Sequence, residues 1–271
     1  MLQEKLEKIQ QIFREYPEHQ VIVAYSGGID SSLVAKIAYD CLGVRAIAVT
    51  ANSPSLASLE LELAIKHAQE IGILHRVIET HEVENPNYAR NYKDRCYFCK
   101  SELHDHLKLI CQEFPQAVVM DGVNADDLRD FRPGIRAAKE RNVRSPLAEV
   151  GLSKLEVRQL AKELGLSWWH KPAQPCLSSR FPYGEPITPE KLARVAQAET
   201  YLRMNGWEDD LRVRSYGNTA KIEVPLPLLP AFTQRFPLQL LIPIFQSYGF
   251  EEVVIDETGF QSGKLNSIIT K

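Results

Sequence analysis

Ser26-Gly27-Gly28-Ile29-Asp30-Ser31 is the stretch on which the fold turns. It follows the apolar run Val21-Ile22-Val23-Ala24-Tyr25 and leads into a helical pattern over Asp30–Cys41. A strand that ends in a glycine turn and reopens as a helix aims successive backbone N–H groups, and the positive end of the helix, at one anion. The two glycines let the backbone curl, and Ser26 and Ser31 add hydroxyl donors. Asp30 is the odd member, because a carboxylate repels phosphate unless it holds Mg²⁺ or caps the helix. The stretch lacks the Gly-Lys-Ser/Thr ending of a Walker A loop. Its bland alternative is a tight turn with an N-cap.

Working outward, the chain alternates strand and helix. Leu2, Leu6, Ile9 and Phe13 fall at helical spacing over residues 2–15. Strands are expected at Gln20–Ser26, Val44–Thr50, Leu74–Ile78 and Ala117–Met120, with helices at Asp30–Cys41, Ser58–Ile71, about Phe98–Glu113 and Lys154–Leu164. Short β-branched runs separated by helices imply an α/β fold whose parallel, doubly wound sheet is covered on both faces. Residues 165–189 carry two tryptophans and five prolines, which reads as a loop or linker. A helix over Pro189–Met204, strands at Arg212–Ser215, Lys221–Val224 and Val253–Ile255, and a helical stretch between them suggest a small α+β unit. The boundary is placed near residue 180, giving domains 1–180 and 181–271.

Composition narrows the classes. The 271 residues are 44% hydrophobic and 25% charged, values that exclude a disordered or collagen-like chain. No apolar run is long enough to cross a bilayer. The charged N-terminus, Met1–Gln11, lacks the apolar core of a signal peptide, so a cytoplasmic protein is expected. A net charge of −3, from 32 basic and 35 acidic residues, gives no sign of a nucleic-acid coat or a membrane surface.

Five cysteines, an odd number in a chain expected in the cytosol, point to metal or thiol chemistry rather than a disulfide framework. Cys41 and Cys111 sit in apolar helical contexts and read as core thiols. Cys96-Tyr97-Phe98-Cys99 is a C-x-x-C pair at an expected helix start, and Cys176 lies far on, in the proline-rich loop. The pair suits a redox dithiol, half of a zinc site completed by His170 or His104, or two ligands of an iron–sulfur cluster. Three thiolates without a fourth cysteine suit a four-iron cluster with one open iron able to carry an exchangeable sulfide. Cys176 stands in Pro175-Cys176-Leu177-Ser178-Ser179-Arg180-Phe181-Pro182-Tyr183-Gly184, beside hydroxyls and a guanidinium that would lower a thiol's pKa and bind an anion. Arg212 and Arg214 alternate with Val213 and so share one strand face. That face could grip a phosphate, or be merely a solvated one.

The Ser26–Ser31 loop is similar to that of the ATP pyrophosphatase, or PP-loop, enzymes, which cleave ATP between the α and β phosphates and adenylate a substrate oxygen. That likeness implies ATP and Mg²⁺ as cofactors and puts Thr50, Ala51, Asn52 and Ser53 beside the adenine. Asp121-Gly122-Val123-Asn124-Ala125-Asp126-Asp127 resembles the family's later strand-end loop. Its carboxylates, Asp127 with Asp30, would hold Mg²⁺ or order neighbouring loops; the alternative is a helix-capping Asx turn. Adding Arg132-Pro133-Gly134, Pro175–Gly184, Arg212-Val213-Arg214 and the run from Gly259 to Asn266, most of the chain resembles one branch. That branch is the LarE-type sulfur transferases, which help make the nickel-pincer cofactor of lactate racemase.

The resemblance implies a two-carboxylate pyridinium mononucleotide as substrate. ATP would activate a carboxylate as its acyl adenylate, and a sulfur nucleophile would displace AMP to leave a thiocarboxylate. Some members are similar to a sacrificial reagent whose single cysteine gives up its sulfur; others look like three-cysteine cluster enzymes. Cys96, Cys99 and Cys176 match the second pattern, which implies a four-iron four-sulfur cluster, with Cys176 as direct donor the alternative. Lys100 and Arg180 would stabilise the departing phosphate. Ser179, Arg180, Glu199, Arg212 and Arg214 would bind substrate, and the family suggests a ring-like homo-oligomer. The rivals are a tRNA-thiolating PP-loop enzyme, an amide-forming synthetase that would leave three cysteines unused, and a non-enzymatic adenine-nucleotide sensor.

Overall fold

In the computed structural model, residues 2–16, 18–114, 116–130 and 132–261 are described. The end of the Gly259–Asn266 run, residues 262–266, lies outside them. Two compact units form. Of the described residues, one unit comprises those within 2–82 and 94–174; the other takes residues 83–93 and those from Pro175 to residue 261. The stretch 83–93 thus joins the second unit, although in sequence it sits inside the first.

The first unit is built on a parallel four-stranded sheet. Its chain runs α1 (Leu2–Arg14), β1 (Val21–Ala24), α2 (Ile29–Leu42), β2 (Ala46–Asn52), α3 (Ser58–Ile71) and β3 (Leu74–Glu79), then a helix over Arg95–Cys111 and the short β4 (Val118–Met120). The strand order is β3-β2-β1-β4, with Val21 level with both Ala46 and Val118. Alternation along the strands explains why β1 carries no polar residue. Val21, Val23, Ala46 and Ala48 point into one core with Leu33, Val34 and Ile37 of α2, Ile9 and Phe13 of α1, and Val157 and Leu160 of the helix Lys154–Glu163. Ile22, Ala24, Ile47 and Val49 point the other way, against Leu103, Leu107 and Ile110 of the Arg95–Cys111 helix. A strand buried on both faces must be apolar throughout.

Chain order reverses across β1, whose successor β2 lies on one side and β4 on the other. The crevice beyond the carboxyl ends of such strands is where open α/β sheets bind ligands. The Ser26–Ser31 loop and the Asp121–Asp127 loop both start there.

The second unit carries a three-stranded sheet, β5 (Arg212–Tyr216), β6 (Thr219–Glu223) and β7 (Glu252–Ile255). β5 and β6 form an antiparallel hairpin and β7 runs parallel to β6. The Pro189–Met204 helix, started by Thr188 capping Lys191 N–H with Pro189 in its first turn, packs on β5. Its buried Leu192, Val195, Ala198 and Leu202 join Val213, Ile222 and Phe245 among the apolar interior residues.

Candidate functional site

In the first unit, α2 starts directly from the glycine turn. Gly28 is its N-cap and supplies no side chain to the first-turn N–H groups, which have no acceptor within the helix. Ser26 and Ser31 face each other, their hydroxyl oxygens 3.2 Å apart, and Gly28 N–H points at Ser26 Oγ from 3.4 Å. Ser31 also accepts from Ser26 N–H and donates to the Gly28 carbonyl. Two hydroxyls, backbone donors and a helix N-terminus therefore converge, which is the chemistry of a phosphate cradle.

The Asp121–Asp127 loop meets this turn edge-on. A Cβ on Gly122 would stand 2.6 Å from the backbone nitrogen of Ser31, so only glycine lets the two backbones touch. Asn124, fully buried, serves both sides. Its Oδ1 accepts from the N–H groups of Asp126 and Asp127, and its Nδ2 donates to Asp30 Oδ1 at 3.0 Å. The Asx turn and the loop-ordering role are thus both present. Burial raises the pKa of Asp30; the Asn124 bond offsets this in part and the charge of Asp127 adds to it. Asp127 is buried against Arg132 at 3.0 Å and Lys154 at 3.3 Å. Asp30 and Asp127 are carboxylates, the ligand type that Mg²⁺ takes one or two of while drawing its remaining oxygens from phosphate and water. Among the described residues no group of three or more His, Cys, Asp or Glu could hold a metal unaided.

Beyond β2 the side chains expected near the adenine are committed to the protein. Buried Thr50 donates to the Tyr25 carbonyl and meets His75 Nε2, both at 2.8 Å. Asn52 donates to Glu79, and Ser53 donates to Glu82 at 2.6 Å. Glu82 is 2% exposed and also accepts from Ser55 and Thr80. Three hydroxyls on one buried carboxylate fix the loop after β2, a role that an isolated glutamate past a strand end gives no sequence signal for. A base seated there would meet this loop largely through its backbone.

The Arg95–Cys111 helix starts earlier than its apolar pattern indicates, so exposed Cys96 falls in its first turn and half-buried Cys99 one turn further on. A helix N-terminus favours the anionic form of sulfur and suits thiolate ligands. Cys176, half-buried, belongs to the second unit. Lys100, exposed on the same helix, packs its stem on Gly134 and lowers the pKa of Asp121, against the larger effect of burial.

In the second unit, Cys176 precedes a tight turn over Leu177–Arg180. Arg180 is 3% exposed. It donates to the carbonyls of Pro175 and Cys176, to Ser179 Oγ, and as a fork to Glu199 at 2.9 Å on both arms. Glu199 also accepts from Val213 N–H, so the helix, β5 and the cysteine turn meet at one carboxylate. Arg214 pairs with fully buried Glu223 and donates to the Ser179 carbonyl. Arg212 lies over the Phe260 ring, and burial, reinforced by the charge of Arg180, brings its pKa down to about 10. Neither strand arginine belongs to a solvated face: both are less than a tenth exposed. Arg180 and Arg214 are thus each paired with a glutamate, and Arg212 feels the charges of Arg180, Glu199 and Asp210.

Sequence reasoning missed the support beneath this turn. Tyr88, 1% exposed, hydrogen-bonds Ser178 through its hydroxyl at 2.6 Å; Asn91, at φ 57°, donates to the Pro182 carbonyl. Backbone bonds Gly184 N–H to Asn91 O and Ile187 N–H to Ala89 O complete the seam.

The chain is similar to several known proteins. The NAD synthase family pattern matches residues 1–109. An uncharacterized protein of Synechocystis is 57% identical over all 271 residues, the whole of both chains. The pyridinium-3,5-bisthiocarboxylic acid mononucleotide synthase of Lactiplantibacillus plantarum is 39% identical over 256 residues, 93% of this chain and 91% of that one. An uncharacterized protein of Methanocaldococcus jannaschii is 31% identical over 253 residues, 93% of this chain and 95% of its own.

Proposed function

The chain belongs to the LarE-type family of ATP-dependent sulfur transferases within the PP-loop superfamily, and on that premise we propose that it converts a carboxylate of a pyridinium-3,5-dicarboxylate mononucleotide to a thiocarboxylate. The observation that carries this reading is the 39% identity, over nearly the full length of both chains, to a synthase whose name states a bisthiocarboxylic acid mononucleotide.

A carboxylate is a poor electrophile because its charge repels nucleophiles. Transfer of AMP from ATP to a carboxylate oxygen removes that charge and releases pyrophosphate. Sulfur then adds to the acyl carbon, and AMP leaves with the electron pair of the broken C–O bond. In this scheme Ser26, Gly27, Gly28 and Ser31 hold the phosphates, Asp30 and Asp127 hold Mg²⁺, and Asn124 keeps the two loops in register. Thr50, Ala51, Asn52 and Ser53 border the adenine. Lys100 and Arg180 counter charge on the departing phosphate. Arg212 and Arg214, with Ser179, Arg180 and Glu199, take the substrate; guanidinium groups of this kind bind phosphate.

For sulfur delivery we propose Cys96, Cys99 and Cys176 as ligands of a four-iron four-sulfur cluster. Such a cluster would supply an exchangeable sulfide at its open iron. The two thiols one helical turn apart support this, and their place at a helix N-terminus suits an anionic centre. The same reading takes the protein to be cytoplasmic and homo-oligomeric, with no nucleic-acid partner. The net charge of −3 supports the last of these, and none of the described helices is long and apolar enough to cross a membrane.

Two variants test the proposal. Cys176→Ala is expected to keep substrate-dependent pyrophosphate release and lose the thiocarboxylate; full thiolation by that variant refutes both sulfur routes. Anaerobically purified protein is expected to hold about four iron and four acid-labile sulfide per chain, lost in Cys96→Ala. Absence of iron after reconstitution overturns the cluster and leaves Cys176 as the direct donor.

A further inference from the structure

Behind the Ser26–Ser31 loop stands a set of side chains that no role above uses. Gly27 rests directly on α3: its φ is +70°, and a Cβ there would come within 2.7 Å of the Ala64 Cβ. One turn further along α3, buried His67 places Nδ1 3.3 Å from the Gly27 carbonyl oxygen. A carbonyl only accepts, so Nδ1 carries the proton in this contact. Burial lowers the pKa of this imidazole, which keeps the ring neutral at neutral pH with its single N–H spent on Gly27.

The indole of Trp168 lies flat on that ring, with centroids 3.8 Å apart and planes within 1°. Trp168 Nε1–H donates to Ser32 Oγ at 3.2 Å, in the first turn of α2, and Ser32 donates on to the Tyr25 hydroxyl at 3.4 Å. The stacked pair thus holds the loop on the Gly27 side and the start of α2 on the other.

The consequence follows from peptide geometry. The Gly27 carbonyl and the Gly28 N–H belong to one trans peptide and point in opposite directions. Turning the carbonyl to His67 turns the Gly28 N–H away from it, toward Ser26 Oγ, beside which Ser31 Oγ stands. We propose that His67, clamped by Trp168, is a positioning residue that fixes the Gly27–Gly28 peptide so that Gly28 N–H joins the two serine hydroxyls in facing the phosphates of ATP. The proposal rests on the reading of this loop as the phosphate site.

Equilibrium binding of ATP and of adenosine to the full-length protein tests it, with the melting temperature of the nucleotide-free protein as the check on folding. His67→Phe keeps an aromatic ring against Trp168 and removes the donor. His67→Gln carries its amide one bond too far out, and His67→Asn returns an N–H near the Nδ1 position. Phe and Gln are expected to weaken ATP about tenfold, the scale of one lost hydrogen bond to a buried carbonyl, and to leave adenosine unchanged. Asn is expected to recover most of the loss. Unchanged ATP affinity in the Phe and Gln variants, an equal fall for adenosine, or failure of Asn to rescue overturns the positioning role. Should Phe not fold, Gln and Asn alone decide. Failure of the unaltered protein to bind ATP overturns the phosphate-site reading itself, a result distinct from losses confined to the variants.

Discussion

His104 shows how much a single buried residue can set. It is 3% exposed on the Arg95–Cys111 helix, and neither ring nitrogen has a hydrogen-bond partner among the described residues. Burial, with the charges of Lys100 and Arg141, pushes its pKa down to about 3. In the unfolded chain an imidazole titrates near pH 6.5. Between about pH 6.5 and about pH 3 the unfolded chain therefore binds a proton that the folded chain does not, so stability falls as pH drops through that window. His104→Leu is expected to flatten this part of the profile, read as the urea midpoint near pH 7 and near pH 5. An unchanged slope contradicts the assignment. The sequence shows this histidine only as a possible zinc ligand, because nothing in its spacing on the helix reveals that it is buried without a hydrogen-bond partner among the described residues. Arg212 and Arg214 are similar: their alternation with Val213 was legible, but their burial, and the pairing of Arg214 with Glu223, depends on a hairpin register the sequence does not state.

At the scale of elements, what was legible followed apolar spacing and glycine. The helices over Leu2–Arg14 and Ser58–Ile71, the first three strands and the turn between β1 and α2 all stand close to where periodicity puts them. The fate of residues 83–93 was not legible, since they form the end of a 3-10 turn at Glu82–Glu84, a single helical turn at Pro86–Ala89 and irregular chain, with no period to read. In the fold they brace the Cys176 turn through Tyr88, Ala89 and Asn91, then run directly into the helix that carries Cys96 and Cys99. Tyr88→Phe removes the hydroxyl that meets Ser178 while keeping the ring. The expected result is several-fold faster alkylation of Cys176, followed peptide by peptide by mass spectrometry, with Cys41 unchanged as the internal control. Equal rates for Cys176 in both proteins would show that the brace does not hold the turn.

At the scale of the whole molecule, the chain divides into two units built on different sheets. The first has a parallel sheet whose chain order reverses at β1, and there two loops meet so closely that Gly122 admits no side chain. In the second, Arg180 pairs with Glu199 and Arg214 with Glu223 beside the Cys176 turn. In the function proposed above, the first unit activates the carboxylate as its acyl adenylate and carries Cys96 and Cys99, while the second carries Cys176 and the arginines assigned to the substrate. The overall charge was a poor guide here, because −3 says nothing of how the buried arginines and glutamates of the second unit are arranged. The measurement that tests the account most directly is the mass of the product formed when anaerobically prepared protein meets ATP, Mg²⁺ and the pyridinium dicarboxylate mononucleotide. The account predicts replacement of one carboxylate oxygen by sulfur, with AMP and pyrophosphate released in equal amount. Pyrophosphate release that leaves the product without sulfur, or that yields an amide when ammonium is supplied, would contradict it.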